Sequence, residues 1–124
     1  MKNLIEITPV VATGVDVAIG HNTNILYQGT LDVPLQFEID HCEKTNEIWI
    51  DNSGDTDIEL ASVAMFEQGH DKLRYMGTFQ PQDGRPAWQS HWVHAHGRWS
   101  LEYDYPVFSW LYKKLQYGWL VKPA

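Results

Sequence analysis

The chain has almost no cysteine and little positive charge. Cys42 is the single cysteine in 124 residues, which excludes an intrachain disulfide and a cysteine-built zinc cluster. Nine Lys and Arg stand against sixteen Asp and Glu, a formal charge of −7. Binding to a phosphate backbone needs clustered cations, so nucleic acid is excluded as a partner. No apolar run approaches the roughly 18 residues of a membrane-spanning helix. Glu6 interrupts the opening Met-Lys-Asn-Leu-Ile-Glu-Ile before it can form the apolar core of a signal peptide. Neither membrane insertion nor a secretion signal is expected. Gly-x-Ser-x-Gly and a glycine-rich phosphate loop are also missing, and His41 and Cys42 are neighbours whose side chains point apart on a strand. The expectation is a protein that binds or assembles and is not an enzyme.

Aromatic residues are abundant. Six Trp and six Tyr are more than a core of this size usually takes, and the surplus suits an interface or a stacking platform. Polar and apolar residues alternate in Leu4–Val11, Val15–Ile19, Val33–Asp40 and Arg98–Tyr105, the period of a strand with one solvated face. Pro9 marks an edge or a bulge. Glu47 to Phe66 reads as a hairpin, two strand-like runs around the polar turn Asp51-Asn52-Ser53-Gly54-Asp55-Thr56-Asp57. The spacing of such runs predicts one mainly β domain over 1–124, an antiparallel jelly-roll-like sandwich. The period changes near the C-terminus. Pro106 suits a first helical position, and Val107, Trp110, Leu111 and Leu115 recur at helical spacing. One helix from Pro106 to about Leu115, with a trailing arm to about residue 121, is expected.

Four groups of residues carry candidate chemistry. Asp51, Asn52, Asp55 and Asp57 offer the hard oxygens that calcium takes, although an ordinary solvated turn uses the same residues. Among His91, His94 and His96, the last two, two apart on a strand, would share a face and chelate a transition metal, while His91 points away unless the strand bends. His-x-His ahead of Glu102 resembles the first cupin motif, with five intervening residues before the Glu in place of three or four. That resemblance implies a metal-dependent enzyme as the alternative function. Trp49, Tyr75, Trp88 and Trp92, beside Asp, Asn and Gln, are the third group. Rings of this kind stack on the apolar face of a pyranose while polar neighbours bond its hydroxyls. The fourth is Phe108, Tyr112, Tyr117 and Trp119, too many rings for one helix to bury on one sandwich face. They predict a protein partner or a homo-oligomer.

In architecture and composition the chain resembles the β-sandwich carbohydrate-binding modules, which implies a glycan ligand at Trp49, Tyr75, Trp88 and Trp92. A small, acidic, Trp-rich module also resembles bacteriophage virion accessory proteins, which implies assembly through the C-terminal aromatics and a location in the virion.

Overall fold

The computed structural model describes residues 2–40, 45–65, 71–104 and Trp110. Among them ten strands follow in chain order: β1 (Lys2–Pro9), β2 (Asp16–His21), β3 (Asn24–Thr30), β4 (Leu35–Asp40), β5 (Thr45–Asn52), β6 (Ile58–Met65), β7 (Thr78–Pro81), β8 (Trp88–Gln89), β9 (Trp92–Val93) and β10 (Gly97–Asp104). They form two sheets whose described pairings are antiparallel, one in the order β4-β1-β6-β9 and one in the order β3-β2-β5-β10-β7-β8.

The core follows from the period-2 pattern. Ile5 and Ile7 of β1, Val17 and Ile19 of β2, Ile48 and Ile50 of β5, and Trp99, Leu101 and Tyr103 of β10 are all buried in one cluster. Pro9 marks a bulge and not an edge. β1 is a central strand, and its pairing with β6 slips between Thr8 and Pro9. Thr8 faces Ser62 and Pro9 faces Leu60, so Ala61 is the extra residue. The slip reverses the alternation of β6: Ile58 and Leu60 face the core on one side of it, Val63 and Met65 on the other. Read from the sequence, this second half is apolar on both faces. At the other ends of their segments, Val11 and Val33 are exposed and lie beyond β1 and β4.

Two expectations are corrected. The run from Glu47 to Phe66 is not a hairpin, because β5 pairs with β2 and β10 in one sheet while β6 pairs with β1 and β9 in the other. The Asp-rich turn carries the chain across the sandwich. Turn residues look the same in both roles, since Gly and Asx serve any sharp reversal. The second correction concerns the C-terminal helix, which is not supported. Among the described residues the element order ends at β10, and its helical element is a 3-10 turn at Asp71–Met76. Of the expected helix and arm only Trp110 lies among the described residues. It is buried and meets Tyr103 edge-on at 6.2 Å. Among the described residues no helix is long and apolar enough to cross a membrane.

Candidate functional site

The irregular part of the chain builds the most distinctive surface. Trp88 lies on β8, the edge of the six-stranded sheet, and Trp92 on β9, the edge of the four-stranded sheet. Between them Ser90 and His91 carry the chain from one sheet to the other. The Ser90 carbonyl accepts from Trp99 Nε1 at 2.8 Å, and the Ser90 N–H donates to the Gly77 carbonyl at 3.1 Å. Gly77 is required here, because a Cβ would sit 2.2 Å from the Trp99 ring. The His91 carbonyl accepts from the Leu60 N–H at 2.9 Å and holds the crossing against β6.

Along this side of the sandwich, rings meet one after another. Tyr75 contacts His91 at 5.1 Å, His91 contacts Trp92 at 6.0 Å, Trp92 stacks on His94 at 6.1 Å and 11°, and His94 meets Trp88 at 5.5 Å. Buried Phe79 lies beneath, 5.0 Å from His94 and 5.2 Å from Trp88. Tyr75 and Trp88 remain 41% and 40% exposed, so both ends of the strip offer ring surface to a ligand. At the Tyr75 end the Arg74 guanidinium lies 4.3 Å from the ring centroid, and the Gln89 amide donates to the Tyr75 carbonyl.

Three carboxylates hold the imidazoles. Glu59 meets His91 at 2.8 Å, Asp57 meets His94 at 3.2 Å, and Asp55 meets His96 at 3.0 Å. The pairs run in antiparallel order, continuing the β6–β9 register in which Ile58 faces Val93 and Glu59 faces Trp92. The Ala95 N–H donates to Asp57 at 2.8 Å. That bond holds the Asp57 carboxyl below its ordinary range, against partial burial, with His94 adding to the lowering.

The expected site residues are thus redistributed. Tyr75, Trp88 and Trp92 come together, joined by His91 and His94. Trp49 does not join them. It lies on the outer face of the six-stranded sheet, 6% exposed, with its Nε1 donating to the Asn22 carbonyl at 2.8 Å and Arg98 capping its ring at 4.2 Å. The calcium candidates also separate: Asp51 forms a two-pronged pair with Arg98, while Asp55 and Asp57 take different histidines. Asn52 is buried and bonded to backbone. His94 and His96 do not lie on a strand, because β9 ends at Val93 and His96 adopts a left-handed φ of 57°. Among the described residues no three His, Cys, Asp or Glu side chains are grouped to hold a metal ion. Phe108, Tyr112, Tyr117 and Trp119 lie outside the described residues. Sequence reasoning missed Glu59 as a member of the site, and it set His91 apart from the other histidines as pointing away on a strand. The signal available was the acidic spacing Asp55, Asp57, Glu59 against the histidine spacing His91, His94, His96.

No family model and no curated protein matches the sequence. Among solved structures, the fold is similar to a carbohydrate-binding module, vCBM60 in complex with galactobiose, with a TM-score of 0.52 and 14% identity. The match covers 82% of this chain and 97% of that one. At this identity the likeness is one of fold.

Proposed function

We propose that this protein is a non-catalytic glycan-binding β-sandwich whose binding face is the strip Tyr75–His91–Trp92–His94–Trp88. The observation that carries the reading is the unbroken ring-to-ring contact along one side of the sandwich, with exposed faces at both ends. Sugar rings bind such faces through their axial C–H groups, and the flanking Glu59, Asp57 and Gln89 suit hydroxyls. The fold likeness to a module solved with galactobiose supports the same reading. The acidic surface favours neutral glycans over sulfated or uronic ones, which like charge would repel.

A glycan array followed by titration of Trp88→Ala tests it. Covering roughly 60 Å² of ring at about 25 cal/mol/Å² is worth ~1.5 kcal/mol, about tenfold in affinity. Binding to neutral oligosaccharides that falls at least that much in Trp88→Ala, with the thermal midpoint unchanged, supports the reading. An array with no neutral glycan bound, or unchanged affinity in the variant, refutes it.

A further inference from the structure

The outer face of the six-stranded sheet carries a second feature, remote from the aromatic strip in character. One cross-strand row runs in continuous register over five strands. Gln28 of β3 faces Ala18 of β2, Ala18 faces Asp51 of β5, Asp51 faces Arg98 of β10, and Arg98 faces Gln80 of β7. Two hollows lie along this row. One of about 410 Å³ is lined by Gln80, Arg98 and Asp51, and one of about 520 Å³ by Asp51, Ala18 and Gln28. Asp51 and Ser53 line both, so the hollows adjoin, and the row that spans them forms a shallow trough. Four strand spacings of about 4.8 Å make it roughly 19 Å long.

The trough is built from side chains already held in place. Asp51 and Arg98 neutralise each other through two hydrogen bonds, one of them 2.8 Å, and the Arg98 guanidinium rests on Trp49. Gln80 Nε2 donates to the carbonyls of Pro81 and Arg85 at 3.0 and 2.9 Å, which fixes its amide. Ala18 is the small residue that keeps the row low between Gln28 and Asp51. Trp49 stands in the next row, over Gly20, where a Cβ would lie 2.0 Å from its ring.

We infer that this trough is a second binding site, for an extended neutral oligosaccharide lying across the strands; the inference rests on the glycan reading above. The occupant follows from the chemistry of the row. Asp51 and Arg98 cancel, Asp16 leaves a single net negative charge at one end, and the Gln28 amide and Ser53 hydroxyl remain to both give and accept hydrogen bonds, with the Gln80 Oε1 left to accept. Among the described residues, none of the exposed large apolar side chains (Leu4, Val10, Val11, Ile25, Val33, Tyr75, Trp88) lines it, so these offer a docking protein no anchor there. The acidic surface disfavours a nucleic acid. A polyhydroxylated, uncharged chain matches what is left.

The test is an amide-resolved NMR titration with galacto-, manno-, cello- and xylotetraose, run on the wild type, on Trp88→Ala and on Gln28→Ala/Gln80→Ala. Two sets of amides should shift in the wild type: those around Tyr75 and Trp88–His94, and those of Asp16–Ala18, Asp51–Ser53 and Gly97–Arg98. The trough set should persist in Trp88→Ala, and its affinity should fall about fivefold for each amide removed. Trough amides that stay still in the wild type, or shifts lost entirely in Trp88→Ala, overturn the second site and leave the strip standing. No shift at either set with any of the four sugars overturns both.

Discussion

Asn52 is the residue whose loss should cost this fold most for its size. It is 1% exposed and ends β5 where the chain leaves one sheet for the other. Its Nδ2 donates to the carbonyls of Thr56 at 2.9 Å and Val93 at 3.1 Å, and its Oδ1 accepts from the Gly54 N–H at 2.9 Å. One amide thus shapes the crossing and ties it to β9. Asn52→Ala removes all three bonds and leaves the Val93 carbonyl without this donor in a buried place. At about 1 kcal/mol per bond, the loss is roughly 3 kcal/mol, a large part of the 5–15 kcal/mol that holds a typical domain. Asn52→Asp keeps the acceptor for Gly54, but as a carboxylate it meets two carbonyls with no proton to give. At neutral pH it should be at least as unstable as the alanine variant, and it should recover in part on acidification. Urea unfolding followed by Trp fluorescence measures the difference, provided the slope with denaturant is unchanged. A loss below about 1 kcal/mol in Asn52→Ala would refute the reasoning, since three bonds that matter cannot vanish so cheaply.

Gly20→Ala places a methyl 2.0 Å from the Trp49 ring, so either Trp49 is expelled or β2 shifts, at a cost of about 1–3 kcal/mol in the same unfolding assay. Trp88→Ala should keep the fold and lose glycan affinity, as set out above, because its ring is an exposed end of the strip. For Asp57 the sign follows from its lowered carboxyl: stability linked to it is fully present above the unfolded value near 3.8 and is lost as pH falls through the lower, folded value. Asp57→Asn should therefore flatten the acid limb of the thermal midpoint against pH, and an unchanged limb would show that the pair with Ala95 and His94 contributes nothing.

Much of the sandwich was legible because alternation reports a half-buried strand directly. Ile5 and Ile7, Val17 and Ile19, and Trp99, Leu101 and Tyr103 fall inside as their spacing requires. What alternation cannot report is which sheet a strand joins. Asp51–Asp57 reads as a hairpin turn because its residues suit any reversal, and only long-range pairing shows that β5 and β6 part company. Trp49 misled for a related reason. Its position opposite Ile48 and Ile50 correctly puts it on the outer face, but its burial there depends on two residues far away in sequence, Gly20 beneath and Arg98 above. For the histidines the alternation could not be carried past Val93, where β9 ends, and His96 adopts a positive φ.

The location of the strip follows from a problem every open sheet has. An edge strand exposes unpaired backbone groups and invites further pairing, and a common remedy is to make it short and cover it. Here β8 and β9, the facing edges of the two sheets, are two residues each, and one stretch from Trp88 to His96 supplies both. Side chains in such a crossing belong neither wholly to the core nor wholly to solvent. Rings suit that position, apolar against Phe79 on the inside and able to meet carboxylates on the outside. The carboxylates come from the β5–β6 crossing and the start of β6, Asp55 to Glu59, so that stretch and the one from Trp88 to His96 clasp one another through their acid–imidazole pairs. A surface assembled to close the sheet edges is thereby also a rigid, ring-lined face. Since Trp88 lies at the outer end of that clasp and Phe79 at its buried root, changes at the two should separate: the first costs binding with the fold kept, the second costs the fold and binding together.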